Sequence, residues 1–217
     1  MSNFVRDVHI NHLKLPASKV FRIPNFFDVK EHSEINYENE LPGDFILYIG
    51  ALVPHKGLDF LVDAIFNEKF GIPIVILGPK HVAYDYSKYS DLNRIVVLEN
   101  PPRSLVLAAL ARCRFLVVPS LCADACPLVV LEAMKHAKAV IASRIGGIPD
   151  IILEGETGLL IPPGDVPSLI KSMKWMLENK NICEKMGDRG RQQFLQNFTA
   201  EKITQKIEKI YLNVIGA

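Results

Sequence analysis

The stretch 119–150 constrains the fold more than any other part of the chain. It follows an apolar run at 115–118, carries Asp124 in a short loop and Glu132 after Pro127, and ends in Ser143-Arg144-Ile145-Gly146-Gly147-Ile148-Pro149-Asp150. An unbroken apolar run of this length reads as a strand buried on both faces. Pro119 and Ser120 end it, and Pro127 suits the first helical position, where a missing N–H costs nothing. The prediction is a strand, a loop and a helix with Glu132 in its second turn. A helix N-terminus at the carboxyl edge of a parallel strand is where α/β proteins hold phosphates. Carboxylates beside it do not bind phosphate, so Asp124 and Glu132 are acceptors for hydroxyl groups. A ligand that offers both phosphate and hydroxyls is a nucleotide or a nucleotide sugar.

The rest of the chain supplies matching units. Strands are predicted at 45–49, punctuated by Gly50, at 72–77, closed by Gly78-Pro79, and at 95–98, 139–142 and 158–161. Helices are predicted from Leu58 through Phe66, from Pro101-Pro102 through Arg112, and over 167–179, 182–197 and 200–215. Strands that alternate with helices imply right-handed crossovers and a parallel sheet, here a Rossmann-like, doubly wound α/β domain. Residues 1–15 are ambiguous; His9 and His12 share a face if helical and read as surface residues. A turn, a short strand at 19–23 and a Pro24-Asn25 turn follow, then a polar, irregular lead-in at 29–43. In the last helix Ile203, Ile207, Ile210 and Val214 form an apolar stripe. We expect part of that stripe, or the surface near Phe4 and Val5, to be exposed or used in self-association.

At 217 residues the chain holds one large domain and is too short for two full Rossmann halves. Its net charge of +1 includes no basic run, which argues against nucleic acid as a partner. Cys113, Cys122, Cys126 and Cys183 have no CxxC spacing and read as free thiols of a reducing compartment; a metal site from Cys122, Cys126 and a histidine is disfavoured by that spacing. No apolar run is long enough to span a bilayer. The expectation is a soluble, cytoplasmic chain, with any membrane contact peripheral and made through another domain.

An acid followed after seven residues by a glutamate and Ala-Met, here Asp124 and Glu132-Ala133-Met134, resembles the signature of the retaining glycosyltransferases of family four, which have two Rossmann domains in a GT-B architecture. The likeness extends to Gly50 with Lys56-Gly57, to 143–150, and to Glu156-Thr157-Gly158 with Gly164-Asp165; it covers about 20–165. Pro24-Asn25-Phe26-Phe27-Asp28 resembles the family's crossing between domains with its middle changed. The resemblance implies the carboxyl-terminal, donor-binding half of such an enzyme: 1–28 as linker, 29–198 as the nucleotide-sugar-binding domain and 199–217 as a terminal helix. Its partner is an N-terminal acceptor-binding domain or subunit that this sequence lacks, without which it is expected to be inactive. The substrate is a nucleoside-diphosphate sugar, with no metal or cofactor required.

Residue by residue, the resemblance places Glu132 on the ribose hydroxyls and Asp124 toward the donor sugar, and makes Lys56 and Asp124 the catalytic pair. Gly50, Pro127, Leu128, Val129, Gly146 and Gly147 complete the donor site. Departing diphosphate builds negative charge, which fixed cations and N–H donors must meet. Lys56 supplies one such cation, but Ala51 stands where the family usually has arginine, His55 where some relatives do, and Asp124 where glutamate is usual. Arg144 is a candidate to compensate for Ala51. Plainer roles exist for each residue: Asp124 as a helix cap, Glu132 as an exposed helix acid, Lys56 as a solvated lysine, Gly146-Gly147 as a turn. Trp175 reads as helix packing. Two other functions stay open, a non-catalytic nucleotide-binding or interaction domain and a nucleotide-sugar epimerase of the same architecture. No GxGxxG follows any strand, which argues against a dinucleotide cofactor.

Overall fold

The structure, a computed structural model, describes residues 2–28, 37, 40–80 and 94–216. Six parallel strands form one sheet: β1 (Ile46–Ile49), β2 (Ile74–Gly78), β3 (Ile95–Glu99), β4 (Leu116–Val118), β5 (Val140–Ser143) and β6 (Gly158–Ile161). Their order is β3-β2-β1-β4-β5-β6, so the sheet grows one way from β1 and then, after the crossover to β4, the other way. The carboxyl edge at that reversal, where the chain leaves β1 and β4, is the usual ligand crevice of such a sheet. This is the Rossmann-like fold expected from the alternating pattern.

The strands read as continuous apolar runs because alternate side chains enter two separate cores. Leu47, Val75, Leu77, Leu116, Val118, Val140 and Ala142 face one side, where α3 (Arg103–Arg112), α4 (Leu128–Lys135) and α6 (Lys180–Asn197) cover them. Ile46, Tyr48, Ile74, Ile76, Val117 and Ile141 face the other, under α2 (Leu58–Asn67) and α5 (Val166–Glu178). Trp175 is half-buried against this second core, in the packing role read for it. Asp165 caps α5: its carboxylate accepts from the Ser168 amide at 3.0 Å and hydroxyl at 2.6 Å, which holds it below the ordinary carboxylate range. No helix among the described residues is long and apolar enough to cross a membrane.

Two local expectations are corrected. The short strand at 19–23 does not form; a 3-10 turn, Ala17–Lys19, precedes irregular extended chain. Prolines bracket the segment, and no strand lies beside it to pair with. Just beyond it, Phe27 makes an isolated parallel bridge with Thr199. Pro127 is the N-cap of α4, with ψ at 117°, so the helix begins one residue later at Leu128. The lead-in at 29–43 falls largely outside the described residues.

The ends of the chain lie on the surface. Helix α1 (Asn3–His12) buries none of its residues and carries His9 and His12 in its last turn. Helix α7 (Ala200–Ile215) buries Ile203 alone; Ile207 and Ile210 are half-buried and Val214 is 68 % exposed. The stripe thus runs from the core out into solvent, and Phe4 on α1 is also exposed.

All four cysteines are unpaired. Burial pushes the Cys113 thiol up to about 12 and the Cys183 thiol up to about 11, and also raises Cys126, while Cys122 is half-buried. Thiolate is the reactive form. Titration of the native chain with an aromatic disulfide reagent at about pH 8 should therefore give one fast thiol, abolished by Cys122→Ser, with the other three reacting only after unfolding. Fast reaction of any thiol in the Cys122→Ser variant would contradict the burial described.

Candidate functional site

The crevice is built by two loops pressed together. After β1, Gly50 leaves no side chain over the Tyr48 hydroxyl; a Cβ there would stand 3.0 Å from that oxygen. The chain then makes a 3-10 turn, Pro54–Lys56, and reverses at Gly57 in the left-handed region, φ 77°. A Cβ on Gly57 would lie 1.8 Å from the Pro119 carbonyl oxygen, so only glycine allows this loop to meet the end of β4. The Leu121 amide donates to the His55 carbonyl at 2.9 Å and joins the two loops. Lys56 is thereby fixed over the loop that carries Asp124, with Nζ 3.6 Å from Asp124 Oδ2.

Asp124 organises its own loop instead of capping α4. Its Oδ1 accepts from the Cys126 amide at 3.1 Å, and its carbonyl accepts from the Gly147 amide at 2.7 Å. Asn25 Nδ2 donates to the Cys126 carbonyl at 3.0 Å and holds the loop from the other side. Gly146 and Gly147 lie beneath it: Cβ atoms there would stand 2.6 Å from the Asp124 oxygen and 2.1 Å from the Ala125 oxygen. The pair gives the Asp124 loop its seat.

No side chain caps the N-terminus of α4, so its first amides, at Leu128 and Val129, remain available at the wall of the crevice. One turn on, Glu132 is buried, its side chain 9 % exposed, with Oε1 2.5 Å from Arg103 Nη2 at the start of α3. The plain reading of Glu132 as an exposed helix acid is thus excluded. The open cavity, about 320 Å³, is lined by Tyr48, Ile49, Gly50, Lys56, Val118, Ser120, Asp124, Pro127, Leu128, Val129 and Glu132. It offers a cation, an uncapped helix N-terminus and two carboxylates to one ligand. Among the described residues, no group of three or more His, Cys, Asp or Glu side chains is placed to hold a metal ion.

Seven predicted residues, Gly50, Lys56, Asp124, Pro127, Leu128, Val129 and Glu132, converge on this cavity, whereas Gly146 and Gly147 do not line it. Arg144 lies elsewhere, 53 % exposed and 2.6 Å from Glu154, so it supplies no replacement for the charge absent at Ala51. The Ala51 carbonyl accepts from the Tyr48 hydroxyl at 3.2 Å. Sequence reasoning missed Tyr48, Ser120 and Arg103. A cation just past the strand end at Glu99 was the available signal for Arg103.

Comparison with known proteins agrees with this geometry. Residues 30–193 match the family described as Glycosyl transferases group 1, and the chain belongs to that family. It is 31 % identical over 212 residues to an uncharacterized glycosyltransferase of Methanocaldococcus jannaschii, covering 97 % of this chain and 58 % of that protein. It is 28 % identical over 197 residues to O-antigen chain mannosyltransferase C of Escherichia coli, covering 87 % and 52 %. The chain therefore spans little more than half the length of these relatives. In fold it is similar to sucrose-phosphate synthase of Thermosynechococcus elongatus, with a TM-score of 0.83 and 22 % identity over 100 % of this chain and 57 % of that one. It is also similar to Anabaena HepE in complex with UDP, with a TM-score of 0.87 and 20 % identity over 98 % and 62 %. HepE has further been solved with UDP-glucose. The chain is a glycosyltransferase-family protein with the Rossmann-like architecture of the GT-B enzymes.

Proposed function

We propose that this chain is the donor-binding domain of a retaining glycosyltransferase and takes a nucleoside-diphosphate sugar. The observation that carries the reading is the convergence of Lys56, Asp124, the uncapped start of α4 and buried Glu132 on one cavity. In this reading the α4 amides and Lys56 meet the diphosphate, as fixed donors and a point charge. Glu132, oriented by Arg103, accepts from the ribose hydroxyls, and Asp124 reaches the sugar. The UDP and UDP-glucose complexes of HepE support a nucleotide sugar as the ligand class.

Transfer breaks the bond between the anomeric carbon and the diphosphate oxygen, and the acceptor oxygen bonds to that carbon on the same face. The acceptor's proton passes to the departing phosphate. Lys56 and the α4 amides stabilise the charge left on the diphosphate, so the reading requires no metal ion. The acceptor is held by a further domain or subunit, for which the exposed part of the α7 stripe is a contact surface.

Calorimetric titration with uridine, guanosine and adenosine diphosphates tests the donor site. One of the three should bind, and Glu132→Ala should weaken it by about 10- to 100-fold, the value of charge-assisted hydrogen bonds. Chelator should leave the affinity unchanged. No saturable binding at millimolar nucleotide, or binding indifferent to Glu132→Ala, overturns the reading. Epimerisation of a nucleotide sugar without acceptor would instead assign the chain to isomerase chemistry.

A further inference from the structure

A second cavity, about 390 Å³, lies where the segment 22–24 crosses the end of α6 and the start of α7. Arg22, Lys202 and Lys206 bring three cations to it, against one carboxylate, Asp150. That carboxylate is already answered: the Asn3 amide reaches Oδ2 at 2.5 Å and Asn3 Nδ2 reaches Oδ1 at 2.8 Å, while Arg22 Nη2 is 3.9 Å away. Lys202 and Lys206 stand one turn apart on the same face of α7, a like-charged pair that destabilises a helix unless an anion sits between. Among the described residues neither has an acidic partner.

Two buried atoms of the lining have no hydrogen-bond partner among the described residues. They are the donor Arg22 Nε and the acceptor Gln193 Oε1. Gln193 is not free to turn its amide over, because its Nε2 donates to the Ile151 carbonyl at 3.0 Å. An anionic oxygen answers Arg22, and an O–H or N–H answers Gln193. Phosphate with its proton, or a phosphate ester bearing hydroxyls, has both; sulfate lacks the donor. The volume exceeds what phosphate alone fills, and the amides of Gln196 and Asn197 on the same wall suit hydroxyl groups.

We propose that this cleft is a binding site for a phosphate group carried by a small polyhydroxylated molecule, separate from the Lys56 cavity and independent of the donor reading. Its occupant joins the 22–24 segment to α7 through charge-assisted hydrogen bonds from Arg22, Lys202 and Lys206.

Calorimetry of the whole chain with glucose 6-phosphate, inorganic phosphate and sulfate tests it. Both phosphates should bind and sulfate should bind at least about tenfold more weakly, given the unmet Gln193 acceptor. Glucose 6-phosphate tighter than inorganic phosphate assigns the ligand a sugar body, and the reverse order assigns phosphate itself. The double variant Lys202→Gln, Lys206→Gln changes two exposed side chains and should weaken both phosphates by about tenfold or more with a melting temperature no lower than that of the native chain. Lys56→Ala should leave them unaffected, which separates this site from the donor cavity. Absence of saturable phosphate binding, sulfate bound as well as phosphate, or affinity that follows Lys56 rather than the α7 lysines overturns the proposal.

Discussion

Lys56→Ala should weaken nucleoside diphosphate binding by about 10- to 100-fold and reduce sugar transfer by the assembled enzyme by roughly a hundredfold or more. The lysine ends a 3-10 turn whose position is set by backbone contacts, Gly57 against Pro119 and Leu121 to His55, so removing its side chain leaves the loop in place. Its ion pair with Asp124 is 3.6 Å long and about one-third exposed on each side, a geometry worth only about 0–1 kcal/mol. Affinity should therefore fall while the melting temperature hardly moves. Ala51 contributes no charge and Arg144 is turned away to Glu154, so neither can compensate. Calorimetry with the nucleotide that the native chain binds reads the effect directly. Unchanged affinity would remove Lys56 from the site.

A large stability effect, away from the crevice, is expected at Gly187. Helix α6 crosses the end of α4 there so closely that a Cβ on Gly187 would lie 2.0 Å from the Ala137 carbonyl oxygen and 2.6 Å from its carbon. Those are backbone atoms of a turn in the left-handed region, Ala137 φ 54°, and cannot swing aside as a side-chain tip would. Overpacking of this kind costs up to about 3 kcal/mol or more, offset by about 1 kcal/mol because alanine favours helix over glycine. Gly187→Ala should therefore destabilise by about 2 kcal/mol, a fall in Tm of roughly 4–8 °C. Gly190 in the same helix is the control: its added Cβ would meet Met134 Cγ at 3.5 Å, an ordinary contact. There alanine should stabilise by up to about 1 kcal/mol. Thermal unfolding that ranks the two variants the other way would mean that α6 does not pack on α4 at this distance.

What the sequence revealed follows from the range of the forces involved. Strands with both faces in a core are continuous apolar runs, so β1 through β6 were legible to within a residue or two. Asp124 and Glu132 were legible from the strand, loop and helix that carry them, and Gly50 and Lys56 through the family resemblance; all four line one cavity at the sheet's reversal. Tyr48 was hidden because its alternation reads as core, which it also is: 1 % exposed, it packs with α2 and turns its hydroxyl to the Ala51 carbonyl. Gly146 and Gly147 read as a turn near the ligand; that they support the Asp124 loop depends on a contact across more than twenty residues that no local pattern encodes. The strand read at 19–23 had the right residue types and no neighbour, since pairing is decided by the sheet and not by the segment. The cleft of Arg22 and Lys202 was invisible for the same reason, its walls being far apart in the chain.

The bridge between Phe27 and Thr199 has a mechanical meaning. The Phe27 amide donates to the Phe198 carbonyl at 3.1 Å, and the Ala200 amide donates back to the Phe27 carbonyl at 3.2 Å. The two strands of backbone that pass this corner are therefore laced into a single strap. A torque applied to α7 is shared by the segment ahead of Phe27, and through Asn25 it reaches the carbonyl of Cys126 at the edge of the Asp124 loop. The corner ties the segment ahead of Phe27 to the start of α7, and the tie on the crevice side ends beside the Asp124 loop.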